Sequence, residues 1–395
     1  MLQSEEAARR LGVKVATLYA YVSRGMLESH RAPDGKRSLF EVADIEQLAA
    51  RSREGRQVES RLATITTRVT QLRDGGPFYR GRAAVSLTAE MTYEEVAALL
   101  WEGEAGGDWT APPFGRLGPC PLAETSDRMR WALVMCGADD PLRADLRPES
   151  VHRAARRVIA ALVDVVGEAP GLPRSPGAAA EGGEGDGDGA APIALRLAHR
   201  LGGHGPSLSA AAVDAALILM ADHELATSTM AVRLAASTRA DVYDALLAGL
   251  ATLAGPLHGG ASQQAYELLV SAERDGVPRA LNDVLRWNRY LPGFGHTIYM
   301  VSDPRFEALL ALAEPLLSED RRSMLHEVMA LALEHDVPAP NCDLALAALS
   351  WGTGMPPDAG RTIFTVARIA GWTAHYLEEL GERPLRFRAR AVYSV

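Results

Sequence analysis

The chain has 395 residues, 47% of them hydrophobic and 23% charged, with a formal net charge of -9. This length exceeds what one hydrophobic core usually organises, so two or three domains are expected. The acidic balance argues against a protein that coats nucleic acid over its whole surface, although it leaves room for a small DNA-binding module.

Cysteine content and the start of the chain predict a cytoplasmic protein with no membrane partner. Three scattered cysteines are too few for a disulfide framework, which favours a reducing compartment. The first residues, Met-Leu-Gln-Ser-Glu-Glu, are polar and acidic, unlike a signal peptide. No uninterrupted apolar run is long enough to span a bilayer.

The first 55 residues are predicted to form a separate unit. Ser4 is expected to cap a helix over residues 5–11, and a second helix is predicted over residues 15–24. Two short helices separated by a glycine-containing turn, here at Gly12, are typical of a helix-turn-helix. The turn at residues 32–37 ends in two basic residues, as a wing would, and a third helix is predicted after it.

This stretch resembles the MerR-type winged helix-turn-helix, on Ala7-Ala8-Arg9-Arg10-Leu11-Gly12-Val13, Thr17-Leu18-Tyr19, Ser23-Arg24-Gly25 and Asp44-Ile45. The resemblance implies DNA as a partner, with Thr17, Tyr19 and Arg24 facing the groove and Lys36 and Arg37 of the wing meeting phosphates. Residues 1–56 hold ten basic and eight acidic side chains, a net charge of +2, which is small for phosphate neutralisation. The alternative is a docking domain with no specific DNA site.

Most of the remaining chain has a helical pattern. From about residue 92 onward, Ala- and Leu-rich segments with few β-branched residues follow one another, which predicts an all-α fold. The exception is residues 170–192, which are rich in Gly, Ala and acidic residues. This segment has too little apolar bulk to offset the entropy of ordering, so we predict a mobile surface loop there.

Five candidate functional side chains lie between residues 220 and 343, several of them beside Gly or Pro, where the backbone leaves regular structure. They are His223, His258, His296, Arg305 and Asp343. Metal binding is the obvious alternative for histidine-rich sequence. However, the chain has no His-Glu-x-x-His, no histidines paired at i and i+4, and no Cys-x-x-Cys, so the spacing predicts no metal site.

The order of motifs from residue 60 to the end resembles the citrate synthase family. The matching segments are Tyr79-Arg80-Gly81, Ala221-Asp222-His223-Glu224, Gly255-Pro256-Leu257-His258-Gly259-Gly260, Pro292-Gly293-Phe294-Gly295-His296, Asp303-Pro304-Arg305, Pro340-Asn341-Cys342-Asp343, Ala367-Arg368 and Arg388-Ala389-Arg390-Ala391-Val392-Tyr393. Each is weak alone, but together they cover this part of the chain in the family's order.

The resemblance implies a homodimer of mostly helical subunits, each with a large and a small domain. The large domain would comprise residues 60–259 and 355–395, and the small domain residues 260–354. The small winged helix-turn-helix domain, residues 1–55, would precede them.

The resemblance also implies a reaction, the condensation of acetyl-CoA with oxaloacetate, without a cofactor or metal. Asp343 would remove a proton from the thioester methyl group, as a partly desolvated carboxylate can. His258, just before a predicted helix, would stabilise the enolate oxygen as a neutral imidazole. His296 would polarise the oxaloacetate carbonyl.

The remaining site residues are assigned to binding by the same resemblance. Arg305, Arg368 and Arg388 would hold the substrate carboxylates, since guanidinium suits planar bidentate pairing, and His223 would complete the pocket. Arg388 would reach into the neighbouring subunit's site. The residues implied for CoA are Leu291, Pro292, Gly293, Phe294, Gly295 and Asn341.

Purely structural interpretations exist for some of these residues. His223 could be a buried helix histidine, and Asp343 could cap a helix beginning at Leu344. Bacterial relatives often carry a further His, an Asn and two cations where this chain has Met220, Ala226, Thr297 and Met300.

These substitutions motivate two alternatives to catalysis. One is a metabolite-sensing DNA-binding regulator that retains the pocket, and the other is a non-catalytic subunit of a heteromer. Within the enzyme hypothesis, the sequence leaves open whether acetyl-CoA gives citrate or propionyl-CoA gives 2-methylcitrate, because one methylene changes binding by only about 1–3 kcal/mol.

Overall fold

The structure is a computed structural model, and its chain divides into two compact units, Met1–Thr66 and Thr67–Val395. The residues that it describes are 2–11, 15, 18, 22, 27, 29–31, 38–42, 44–45, 65–73, 76–112, 120–167, 191–255, 258–287, 290–299, 301–388 and 393.

The first unit combines a short sheet with the predicted first helix. Its elements are β1 (Leu2–Gln3), α1 (Ser4–Leu11), β2 (His30–Arg31) and β3 (Ser38–Phe40). The strands are antiparallel in the order β1-β3-β2. A small apolar core lies beneath them, formed by Ala7, Ala8, Leu11, Leu18, Leu27, Phe40 and Ile45.

The residues predicted to face DNA cannot be placed. Thr17, Tyr19, Arg24, Lys36 and Arg37 all lie outside the described residues. The same holds for residues 168–190, which include nearly all of the predicted mobile loop. Both assignments therefore stay predictions.

The second unit begins with a small antiparallel sheet and continues as helices, so the predicted all-α class is confirmed. The strands are β4 (Thr70–Arg73), β5 (Gly76–Tyr79) and β6 (Arg82–Ala83). The helices are α2 (Ala84–Glu90), α3 (Tyr93–Trp101), α4 (Thr125–Ala138), α5 (Pro148–Asp164), α6 (Ile193–Leu201), α7 (Pro206–Met220), α8 (Thr227–Ser237), α9 (Val242–Leu253), α10 (Ala261–Asp275), α11 (Val277–Trp287), α12 (Pro304–Ala313), α13 (Glu319–Glu334), α14 (Cys342–Thr353) and α15 (Ala359–Leu380).

Helix α15 is the centre of this unit. It has 22 residues, and from Ala359 to Tyr376 only Arg361 and Phe364 are not fully buried. Helices α3, α5, α7, α8, α9, α10 and α14 all pack against it. A helix that is buried over most of its surface is enclosed by others, and this enclosure places Arg368 in the interior.

Local sequence signals explain where several helices begin. Thr92 and Glu95 form a reciprocal capping box at the start of α3, and Asp241 caps α9 by accepting from the Asp244 N–H. Ala226 stands at the N-cap of α8 and offers no side-chain oxygen.

Within the described residues, none of the helices is both long and apolar enough to cross a membrane.

We expect Gly371→Ala to lower the free energy of unfolding by about 1–3 kcal/mol. A Cβ at this position on α15 would overlap Asp222 Oδ1 and the Ala221 carbonyl oxygen. That overlap outweighs the helix propensity that alanine gains over glycine, about 1 kcal/mol. Urea denaturation measures the change. Gly106→Ala is the control, because a Cβ there meets no atom within 4 Å. A Gly371→Ala protein as stable as the unaltered chain would refute the close packing of α15 on residues 221–222.

Candidate active site

A buried ion pair joins the starts of two helices at the site. Nε and Nη2 of Arg305 donate to the Asp303 carboxylate at 3.0 and 2.9 Å. The two residues are only 2% and 1% exposed. Asp303 also accepts from the backbone N–H of Arg305 and of Cys342, each at 3.1 Å. One carboxylate therefore caps α12 and ties it to the first residue of α14.

Asn341 connects α14 to the glycine-rich loop that precedes His296. Its Oδ1 accepts from Asp343 N–H at 2.9 Å, and its Nδ2 donates to the Gly295 carbonyl at 2.7 Å. Its own N–H donates to the Gly293 carbonyl at 2.9 Å. Asn341 is thus the N-cap of α14, so the alternative in which Asp343 caps this helix is wrong.

The loop itself needs its glycines. Gly293 and Gly295 have φ values of +83° and +77°, which side chains other than glycine rarely adopt. A Cβ on Gly293 would also lie 2.9 Å from Leu344 Cβ. The six residues predicted to bind CoA form one local structure, and their role in binding stays a prediction: Leu291, Pro292, Gly293, Phe294, Gly295 and Asn341.

Asp343 lies in the first turn of α14 and is partly buried. Burial raises the pKa of its carboxyl group to about 6, and nearby Asp303 raises it further while Arg305 opposes the shift. A carboxylate with such a pKa is a stronger base than an ordinary aspartate and is still largely ionised at neutral pH.

His296 has a defined tautomer. Its Nδ1 accepts from the backbone N–H groups of Ile298 and Tyr299 at 3.0 and 3.2 Å, so the proton of the neutral ring resides on Nε2. That Nε2 lies 3.3 Å from Arg305 Nη2, which is also a donor. Burial and Arg305 both lower the pKa of His296, which keeps it neutral. Two donors side by side suit an oxygen that accepts from both.

His223 faces His296 at nearly a right angle. Their ring centroids are 5.3 Å apart with an interplanar angle of 78°. The Nε2 of His223 lies 3.2 Å from the Tyr299 hydroxyl. Burial, followed by Arg305, Arg368 and His296, lowers its pKa well below the ordinary value, so this imidazole is also neutral.

His258 lies on the turn before α10, and Arg368 lies on α15. Nε2 of His258 is 2.8 Å from Ser228 Oγ, and burial with the charge of Arg368 lowers its pKa. The Arg368 guanidinium stacks over Phe364 at 4.6 Å. Its Nε and Nη1 are buried without a hydrogen-bond partner in the described part of the chain. A buried cation with free donors is suited to an anionic ligand.

Arg388 differs from the other predicted substrate ligands in the exposure of its side chain. It is exposed and follows the end of α15. Of the two neighbouring arginines, Arg386 donates to the buried Glu379 carboxylate at 2.7 and 2.6 Å, while Arg390 lies outside the described residues. Arg386 is therefore held in an ion pair, whereas the side chain of Arg388 is exposed.

A buried charge network supports the turn that carries His223. Asp222 accepts from Glu224 N–H at 3.1 Å and lies 3.3 Å from His375 Nε2. The other ring nitrogen of His375 is 3.0 Å from Arg233, which in turn pairs with Glu379 at 2.9 Å. Because Glu379 also binds Arg386, the network extends from the His223 turn to the segment that bears Arg388.

Sequence reasoning missed Asp303, Tyr299 and this network as parts of the site. Asp303 could have been found from its place two residues before Arg305, whereas the contacts of Tyr299 depend on the tertiary fold. No group of three or more His, Cys, Asp or Glu side chains within the described ranges is arranged to hold a metal ion.

Two family models match the chain. The model described as citrate synthase, C-terminal domain, matches residues 118–390, and the one described as helix-turn-helix domain matches residues 1–53. The first spans well over half of the chain and includes every candidate site residue outside the N-terminal unit. The fold and the site thus define a helical protein with a carboxylate and neutral imidazoles beside buried guanidinium groups. The chain belongs to the citrate synthase family.

Individual relatives agree with this placement. The chain is 35% identical over 192 residues to the citrate synthase of Saccharolobus solfataricus, covering 46% of this chain and 51% of that protein. It is 28% identical over 375 residues to citrate synthase 2 of Bacillus subtilis, covering 86% and 95%. The first match spans about half of the relative's length, and the second spans nearly all of it.

A solved structure shows the same fold. Citrate synthase from Thermoplasma acidophilum, in a ternary complex with carboxymethyl coenzyme A and oxaloacetate, superposes with a TM-score of 0.68 at 22% identity. The alignment covers 85% of this chain and 94% of that one. The family and the helix-turn-helix predicted from the sequence are therefore confirmed.

We expect Asp303→Asn to lower the free energy of unfolding by about 3–5 kcal/mol, because it leaves the Arg305 guanidinium buried without its counter-charge. Chemical denaturation measures this loss. The control is Asp283→Asn, which breaks an exposed pair with Arg279 and should leave stability nearly unchanged. Equal stability of the two variants would contradict the structural role of the Asp303–Arg305 pair.

Proposed function

We propose that the protein condenses acetyl-CoA with oxaloacetate to give citrate and CoA. The observation that carries this proposal is that His223 contacts His296, that His296 contacts Arg305, and that Arg305 acts electrostatically on the Asp343 carboxyl group. Two citrate synthases among its relatives, and the carboxymethyl coenzyme A and oxaloacetate in the Thermoplasma acidophilum complex, support the same substrates.

The donors of the site suit the keto dicarboxylate. Nε2–H of His296 and Nη2 of Arg305 lie 3.3 Å apart, so the ketone oxygen or an adjacent carboxylate oxygen can accept from both. Arg368 adds two buried donors, Nε and Nη1, for a carboxylate. Because the imidazoles stay neutral, they donate hydrogen bonds without protonating the base.

The carbon–carbon bond would form in three linked events. Asp343 takes a proton from the methyl group of acetyl-CoA while neutral His258 donates to the thioester oxygen, which gains negative charge as the enolate forms. The enolate carbon then attacks the ketone carbon of oxaloacetate, the C=O π bond breaks, and the ketone oxygen, polarised by His296, takes the Nε2 proton of that imidazole to become the hydroxyl group of citryl-CoA. Water finally cleaves the thioester and releases CoA and citrate.

Two macromolecular partners belong to the proposal. A second copy of the chain would receive Arg388, which is exposed and anchored through Arg386, as the further carboxylate ligand. Duplex DNA is the partner class that we propose for residues 1–53, on the strength of their helix-turn-helix match.

We expect Asp343→Asn to reduce kcat by about 100- to 10,000-fold, since the amide cannot accept the methyl proton. Thiol release from acetyl-CoA or propionyl-CoA with oxaloacetate measures turnover and decides between citrate and 2-methylcitrate formation. Asp320→Asn, which removes an exposed carboxylate from α13, is the matched control and should keep full activity. No CoA release by the unaltered dimeric protein from either thioester would refute the proposed reaction.

The raised pKa of Asp343 gives a pH signature. The base acts only when deprotonated, so kcat/KM should rise with pH through a midpoint near the pKa of about 6 and level off above it. Initial rates over about pH 5 to 8 at constant ionic strength measure this limb. A midpoint near about 4, the value of an ordinary aspartate, would contradict the raised pKa of Asp343.

A further inference from the structure

Tyr299 lies at the centre of the candidate site, although the sequence motifs did not single it out. Its side chain is 7% exposed, and its ring stacks on His296 with centroids 4.7 Å apart and an angle of 26°. The Arg305 guanidinium carbon lies 5.3 Å from the ring centroid. The hydroxyl is 3.2 Å from His223 Nε2. One side chain therefore touches three of the predicted oxaloacetate ligands.

The hydroxyl of Tyr299 meets an imidazole nitrogen, unlike the hydroxyls of four other buried tyrosines, of which Tyr243 donates to the Asp140 carboxylate at 2.7 Å. Tyr79, Tyr93 and Tyr376 donate to main-chain carbonyls at 3.0, 2.9 and 2.8 Å, which are fixed structural bonds. Tyr299 instead meets a side-chain nitrogen that is itself expected to bind substrate. A hydroxyl so placed is near any oxygen that His223 Nε2 would bind.

The hydroxyl also remains a donor under all working conditions. Burial raises the pKa of Tyr299 to about 12, so the phenol stays neutral. With the proton of neutral His223 on Nε2, that N–H donates to the phenol oxygen and leaves the phenol O–H free to rotate toward an acceptor oxygen, in contrast to the fixed N–H groups of the imidazoles.

We propose that Tyr299 is a substrate-binding residue whose hydroxyl donates to an oxygen of the keto dicarboxylate, beside His223 and Arg305. This inference rests on the proposed function and adds a ligand to the same site. Its ring stacks on the imidazole of His296 and so fixes the orientation of that imidazole beside Arg305. Its hydroxyl contributes to the affinity for oxaloacetate and to the orientation of the bound substrate. Asp343 and His258, which act on the thioester, do not require it.

Tyr299→Phe separates the hydroxyl from the ring, because phenylalanine keeps the stacking on His296. We expect KM for oxaloacetate to rise about 10- to 100-fold, as for loss of a hydrogen bond to a charged group, with KM for acetyl-CoA nearly unchanged. Tyr266→Phe is the matched control. That tyrosine is partly buried, and its hydroxyl donates to the Met355 carbonyl at 3.3 Å and not to a predicted substrate ligand.

Oxaloacetate binding by calorimetry gives a second readout that needs no turnover. The Kd for oxaloacetate should rise by the same factor in Tyr299→Phe. Oxaloacetate should also raise the melting temperature of the variant by less than it raises that of the unaltered protein. Each increase is measured from the same protein's melting temperature without ligand, so a less stable variant can still be compared. An unchanged Kd and KM would overturn the role of Tyr299 and leave the proposed reaction intact. If the unaltered protein neither binds oxaloacetate nor releases CoA, the proposed function fails and this inference fails with it.

Discussion

The buried pair of Asp303 and Arg305 is the interaction on which the site depends. Its carboxylate is shared by the guanidinium, by the start of α12 and by the start of α14. Both charges are buried, so separating them would leave each without its counter-charge in the protein interior, at a high cost in free energy. The geometry of the pair is therefore fixed. Arg305, Asp343 and the loop of His296 are positioned together for that reason.

A consequence of this arrangement is a site of fixed cations and neutral donors. Arg305 and Arg368 are buried in the same region, and their field helps to keep His223, His258 and His296 uncharged. Protonated imidazoles would add positive charge to the site and could donate a proton to the Asp343 carboxylate, which must be deprotonated to act as the base. The carboxyl group of Asp343 nevertheless has a raised pKa, because burial outweighs the attraction of Arg305.

Much of this organisation could be predicted from sequence, but the support of each residue could not. His258 and His296 stood out because glycine and proline flank them, and the motif order identified the family. Asp343 was ambiguous between base and cap until the structure assigned the cap to Asn341. Periodicity could not reveal that Tyr299 meets His223, because residues 76 positions apart are brought together only by the tertiary fold.

The network from Asp222 through His375, Arg233 and Glu379 to Arg386 also bears on how this chain can diverge. Four of its members are fully buried, and the contacts of Asp222 with His375 and of Arg233 with Glu379 join residues that lie far apart in sequence. A single substitution leaves an uncompensated charge in the interior, so drift at these positions is expected to proceed by paired replacements. Homologues that have lost Arg233 should have lost an acidic partner on α15 as well.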